Sequence, residues 1–351
     1  MNYMLPRVMK AAVLEKLGEP LVIREVEIPD LLPGQVLVKV LFSGVCRSQL
    51  MEVRGKRGED SWLPHLLGHE GSGIVMATGE GVTKVAVGDD VILGWVKGDG
   101  LDAPGAQYRI GDVVINSGRV TTFASFTIVS ESRLVKKPKN LAFDEAVLFG
   151  CALPTGAGMV LNEPKISVDS AVAVIGLGGI GISALLALRA LNINQIIAID
   201  ISEDKLEFAK RLGANYVFHS LDKGLYESIM SLTNGGVDFC IESGGQVSTI
   251  ELGFSLIRKG GGELIFASHP GYGEKISLDP HELISGKKIL GSWGGGSNPD
   301  NDVPKIYSLF AKSNFLLSDL ITKRYKLEEI NEALDDLEHG KVFRPLIVMD
   351  H

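Results

Sequence analysis

Only three cysteines occur in 351 residues, Cys46, Cys151 and Cys240. That is too few for a disulfide scaffold and fits a reduced, cytoplasmic setting. Each is therefore buried filler, a reactive thiol or a metal ligand. Cys46 stands in "GVCRSQL", just past an apolar run, with Arg47 and Ser48 behind it. His69 and Glu70 follow in "GHEGSG", and Cys151 in "FGCALPTGAG". Two thiolates and an imidazole are the donor types of a zinc that keeps its fourth position open for chemistry. Cys240, in "VDFCIES", reads as filler in a buried strand. His65, His219, His269, His281 and His339 have no spacing that sets them apart, and read as structural or solvent-facing.

A second constellation is "VIGLGGIG". Gly176, Gly178, Gly179, Ile180 and Gly181 make a G-x-G-x-x-G turn that follows a buried strand and opens a helix. That context permits a tight turn, close approach of a pyrophosphate, and its placement on the helix N-terminus. Nineteen residues past Gly181, "QIIAID" ends in Asp200. A carboxylate there accepts from both ribose hydroxyls and repels a 2′-phosphate, so the spacing predicts NAD rather than NADP. Lys205, one helical turn further, is either a second ribose contact or a solvated lysine.

The elements that must position these groups fall into two kinds. Residues 10 to about 150 read as short Val-rich strands bounded by glycine, as in "QVLVKVLFSGV" and "GSGIVMATG". From about residue 168 to 294 buried strands alternate with helices, which predicts a parallel, doubly wound α/β sheet. Its strands are "AVAVIG", "QIIAID", "YVF", "VDFCIES" and "ELIFAS". Its helices include "GISALLALRALN" and "SEDKLEFAKRLGA", the latter opened by Ser202. The tail returns to a helix, "LEEINEALDDLEHG", and a strand, "RPLIVMD", that is expected to pack back onto the first domain. A formal charge of -8 and a pI near 5.5 argue against a nucleic-acid partner. The uncharged run at residues 171–188 has the length of a membrane span. Its clustered glycines make it a strand, turn and buried helix instead, so no membrane partner is expected.

Taken together, "GVCRSQL", "GHEGSG", "CALPTGAG", "VIGLGGIG", "AIDIS" and the closing "ITKRYKLEEINEALDDLEHGKVFRPLIVM" resemble the zinc-dependent medium-chain dehydrogenase family, the alcohol dehydrogenases, over nearly the whole chain. The resemblance implies a discontinuous GroES-like catalytic domain over residues 1–155 and 295–351. It implies a Rossmann domain over residues 156–294. It implies one catalytic zinc on Cys46, His69 and Cys151, with Glu70 beside the metal as a transient ligand. Ser48 would relay the alcohol proton, Arg47 and Arg344 would hold the pyrophosphate, and Thr155 would face the nicotinamide. Trp95 falls either on a substrate-pocket wall or in ordinary core. The implied reaction moves hydride between a small-molecule alcohol or polyol and NAD, in a homodimer or homotetramer.

Departures from that pattern carry information. Gln49 stands where the family commonly has an aspartate behind the zinc-bound histidine; an amide orients an imidazole but adds no charge. Met51 replaces a relay histidine. Residues 96–120 contain no cysteine, so the four-cysteine structural-zinc lobe of many relatives is not expected. Arg54, Lys56 and Arg57 either favour an anionic substrate or make a solvated loop. The competing readings are a zinc-free NADPH quinone or enoyl reductase and a redox-inert dinucleotide-binding protein.

Overall fold

The computed structural model describes residues 6–312 and 315–351. Contacts divide the chain into two units. One takes the residues up to Cys151 together with Asn298–Pro304 and Leu316–His351; the other takes Ala152–Ser297 and Lys305–Phe315. The division differs from the expected one in three places, one of them Gly295–Ser297, which falls in the second unit. The helix Ala152–Leu161, with Thr155, belongs to the second unit, and so does a short return at Lys305–Phe315.

The first unit is built on two sheets. In the larger, the strands run in the order Leu134–Lys136, Asp90–Gly94, Glu70–Thr78, Gln35–Gly44, Arg344–Val348 and Ile321–Lys326, with Phe126–Ser130 also pairing to Gln35–Gly44. The last strand of the chain thus lies antiparallel to Gln35–Gly44, with Leu346 opposite Gly44. The smaller sheet orders His65–Leu66, Val8–Leu14, Val22–Glu27, Tyr108–Ile110 and Val113–Ile115. Strand Gln35–Gly44 is buried along most of its length, as expected for a central strand flanked on both edges. It therefore delivers Val45 and Cys46 from a rigid base.

The second unit is a six-stranded, wholly parallel sheet. Its order is Tyr216–His219, Gln195–Asp200, Ala171–Ile175, Phe239–Glu242, Glu263–Phe266 and Lys288–Gly291. The chain order reverses beside Ala171–Ile175, so the crevice at that strand's carboxyl end is the topological switch point where such sheets bind ligands. All five residues of Ala171–Ile175 are buried, which is why it reads as an unbroken apolar run. The sixth strand, "KILG", is largely exposed and polar-flanked, and its sequence carries no strand signal of comparable strength. Ser202 occupies the N-cap of helix Glu203–Arg211, but its side chain makes no capping bond. Its amide instead donates to Asp200 Oδ1 at 3.0 Å. No single helix among the described residues is long and apolar enough to cross a membrane.

Candidate active site

Three segments of the first unit bring Cys46, His69 and Cys151 together. Cys46 precedes helix Arg47–Val53 in extended backbone, and its carbonyl accepts from Gln49 at 3.0 Å. His69 leads into strand Glu70–Thr78. Gly68 before it has a φ of +90°, and a Cβ there would meet Thr122 Oγ1 at 2.5 Å, so this approach admits only glycine. Cys151 sits between the short helix Val147–Gly150 and helix Ala152–Leu161. One donor atom from each of the three lies within 4.8 Å of the other two.

The electrostatics fit a cation at their centre. The Cys46 thiol is pushed well below its ordinary range by the hydrogen bond from Cys151, and then by His69. Cys151, as the partner holding the proton, is pushed well above. Burial works against charging His69, yet the neighbouring Cys46 thiolate and Glu70 together outweigh it and raise the imidazole. His69 Nε2 is buried with no hydrogen-bond partner. An orphaned nitrogen beside two thiols is costly unless a ligand satisfies it, and a divalent metal would do so while displacing the thiol proton.

Glu70 is fully buried but is not one of the three converging donors. Both its carboxylate oxygens accept from Arg344 Nη2 at 2.5 Å. Burial raises the Glu70 pKa although Arg344 pulls it down, and Arg344 is in turn raised by Glu70 and Cys46 despite its burial. Gly44 makes room for this pair, since a Cβ there would meet the Glu70 carboxyl carbon at 2.7 Å. Of the two arginines expected to hold pyrophosphate, Arg47 is exposed on the first turn of its helix, whereas Arg344 is committed to Glu70. Ser48 is half-buried on the same turn as Arg47.

Gln49 departs from its expected place. Its Oε1 accepts from the Gly68 amide in a short bond, and its Nε2 lies 3.5 Å from Glu52 Oε2. With its amide so engaged, it braces the loop that presents His69. Met51 is buried. Trp95 is half-buried, its amide donating to Gly150 O at 3.3 Å, one residue before Cys151.

The basic loop weighed for an anionic substrate is engaged in ion pairs. Arg54 pairs with Asp335 and Glu338, Lys56 lies 3.7 Å from Glu338, and Arg57 lies 3.2 Å from Glu52. These ion pairs tie the 54–57 loop to helix Ile330–Glu338 and to Glu52, so the three charges are not held out for an anionic substrate.

Residues 96–120 are organised without thiols. Glu131 accepts from the amides of Thr83, Lys84 and Leu101 at 2.6–2.7 Å, while Asp102 pairs with Lys97 and Arg119.

In the second unit the glycine turn has the steric form of an anion cradle. Gly176 has a φ of +83°, and a Cβ on it would meet Gly244 N at 2.5 Å. A Cβ on Gly181 would meet Gly176 O at 1.9 Å, while one on Gly178 would meet nothing within 4 Å. Two glycines therefore serve close packing, and the third leaves open space over the backbone where helix Gly179–Ala190 begins at Gly179 and Ile180. Asp200 is buried at the end of the adjacent strand, its Oδ2 accepting from Leu177 N at 2.6 Å. Lys205 is half-buried on helix Glu203–Arg211. Thr155 is buried on helix Ala152–Leu161, and its hydroxyl has no hydrogen-bond partner. Cys240 is fully buried in the sheet core, where burial raises its thiol well above the ordinary range.

Comparison with known proteins agrees with both halves. Residues 32–139 match the alcohol dehydrogenase GroES-like domain and residues 179–312 the zinc-binding dehydrogenase domain. The chain is 31% identical to the class-3 alcohol dehydrogenase of Drosophila melanogaster, over 96% of this chain and 97% of that one. It superposes on benzyl alcohol dehydrogenase from Acinetobacter calcoaceticus with a TM-score of 0.89 at 29% identity, covering 98% of this chain and 100% of the other. An alcohol dehydrogenase zinc-binding domain protein from Burkholderia ambifaria gives 0.90 at 29% identity, with 98% and 100% covered. With its GroES-like unit carrying the thiol and imidazole donors and its Rossmann unit the glycine cradle, this chain belongs to the zinc-dependent alcohol dehydrogenase family.

Proposed function

We propose that this alcohol dehydrogenase uses NAD and one catalytic zinc per subunit to oxidise a small alcohol, or to reduce the matching carbonyl compound. The observation that carries the reading is the convergence of Cys46, His69 and Cys151 around an orphaned Nε2. A Cys₂His set leaves one coordination position open to a substrate oxygen. When bound, the metal supplies Lewis acidity at the substrate oxygen, and the dinucleotide supplies the hydride acceptor or donor.

The remaining work falls to the chain's own side chains. Ser48, two residues past Cys46, would take the alcohol proton and release it towards water or a ribose hydroxyl of the bound cofactor, because Met51 cannot carry it. Glu70, held by Arg344, lies beside the cluster and is assigned as a transient ligand. Arg47 is assigned to the cofactor pyrophosphate, as are the backbone groups of Gly178, Gly179 and Ile180. Thr155 offers its unpaired hydroxyl to the nicotinamide end. Asp200, with each carboxylate oxygen already oriented by one amide, accepts from the ribose and disfavours a 2′-phosphate. Lys205 is assigned to the same ribose. The low cysteine count supports a cytoplasmic enzyme, and we assign it a homodimeric or homotetrameric assembly, which light scattering would measure.

The test is steady-state NADH production with a panel of alcohols, starting from benzyl alcohol, repeated with NADP and after chelation. Activity with NAD that disappears on chelation and returns with zinc is the expected result. Equal turnover with NADP, or activity indifferent to chelation in metal-free protein, would overturn it.

A further inference from the structure

His65 has a chemical setting that its sequence gives no hint of. It belongs to strand His65–Leu66 and is buried, with its side chain 6% exposed. Helix Arg47–Val53 brings Glu52 to it and the following loop brings Asp60. One donor atom from each of the three lies within 4.8 Å of the others.

The outward atom of each group is already held by the protein. His65 Nδ1 lies 3.1 Å from the Leu66 carbonyl oxygen, a contact that Nδ1–H makes as donor. Glu52 Oε2 is taken by Arg57 at 3.2 Å and by Gln49 Nε2 at 3.5 Å. Asp60 Oδ1 accepts from the Trp62 amide at 2.8 Å. That leaves His65 Nε2, Asp60 Oδ2 and Glu52 Oε1 turned towards one another, with Nε2 2.8 Å from Oδ2 and 3.9 Å from Oε1. At that spacing Nε2 and Oδ2 can share a proton, or all three atoms can close on one cation. An imidazole whose other nitrogen donates to a backbone carbonyl, with carboxylates fixed by their second oxygens, is the outer-shell pattern by which proteins aim metal ligands.

We propose that Glu52, Asp60 and His65 form a second divalent-cation site, separate from the cysteine cluster. The donors are two hard oxygens and one imidazole nitrogen, a set that takes Zn²⁺, Co²⁺ or Mn²⁺ without thiolate. A cavity of about 220 Å³, lined by Glu52, Asp60, Trp62 and His65 and reaching Gly68 and His69, borders it and leaves room for water to complete the coordination sphere. The proposal does not rest on the assignment of Cys46, His69 and Cys151, whose failure would leave it standing.

The experiment is an optical titration of the zinc-loaded enzyme with Co²⁺. Cobalt on thiolate gives strong charge-transfer absorption, whereas cobalt on oxygen and imidazole gives only weak visible bands. One further equivalent of Co²⁺ should bind with the weak bands alone, and His65→Gln and Asp60→Asn should each lose it. Both variants should keep the melting temperature and turnover of the parent, and Asp60→Asn retains the oxygen that meets the Trp62 amide. No second equivalent in the parent, a second equivalent that brings charge-transfer bands, or one that persists in both variants would each overturn the proposal. In the first case a proton holds the three groups together as an imidazolium ion cluster.

Discussion

The cysteine cluster of the first unit and the glycine turn of the second solve opposite problems. Cys46, His69 and Cys151 come from three segments spread over about a hundred positions, and what they supply is atoms: two sulfurs and a nitrogen aimed at one point. The turn at residues 176–181 is one contiguous stretch, and what it supplies is the absence of atoms. Open space lies over Gly178, and no Cβ stands between Gly181 and the Gly176 carbonyl. A side-chain site therefore fails by subtraction and a backbone site by addition. The two units are separate packing bodies, so damage to one leaves the other readable.

Subtraction at the cluster should have the largest effect. Cys46→Ser should abolish turnover and lower bound zinc, while NADH binding followed by fluorescence stays near that of the parent. Loss of both together would mean that the units do not fail independently. Next comes Ser48→Ala, expected to slow alcohol oxidation about 10²–10⁴-fold at neutral pH, as for other general acid–base groups. The deficit should shrink at high pH, where hydroxide replaces the relay, and a constant ratio in the pH–rate profile would remove Ser48 from that role.

Addition at the turn sharpens the contrast. Gly178→Ala has room for its methyl, so the melting temperature should hold while NADH affinity falls and zinc content is unchanged. Gly181→Ala places a methyl 1.9 Å from Gly176 O and should lower the melting temperature as well. If Gly178→Ala binds NADH as tightly as the parent, the open space is not the pyrophosphate's. A smaller effect is expected of Asp200→Gly. Orphaning one ribose hydrogen-bond pair costs about 1–3 kcal/mol, and the preference for NAD over NADP should relax with it in competitive binding.

The smallest expected effect lies at Glu131, where a carboxylate organises a region that needs no metal. Burial raises this carboxyl, but the amides of Leu101, Lys84 and Thr83 outweigh burial and hold it below its ordinary range. A depressed carboxyl stabilises the fold above its unfolded pKa, and that stability is lost as pH falls through the lower folded value. Glu131→Gln should therefore melt earlier than the parent at neutral pH. The gap should close below about pH 4, near the ordinary carboxylate pKa. A gap constant with pH would mean that lost hydrogen-bond geometry, not charge, is responsible.

Legibility differed with distance along the chain. The glycine turn, Asp200, the four inner strands of the parallel sheet and the half-exposed edge strand Tyr216–His219 could all be read directly, because each is a local pattern of glycine, β-branched or aromatic runs or periodicity. The edge strand Lys288–Gly291 could not, since largely exposed residues lose the apolar signature. Arg54 and Lys56 read as part of a basic loop because their partners Asp335 and Glu338 lie some 280 residues away. Gln49 was expected behind His69 and instead braces Gly68.

The sequence by itself determined the donor types, the cofactor turn and the family, because those depend on residue identity and short spacing. Only the tertiary structure decided which groups meet. It gave Arg344 to Glu70. It left the Nε2 of His69 without a partner. It turned His65 from an unremarked histidine into the centre of a carboxylate cluster. Those outcomes are set by where strands and loops bring side chains that are far apart in the chain, and by which atoms burial then leaves without water. Neither can be read from one residue's neighbours in sequence.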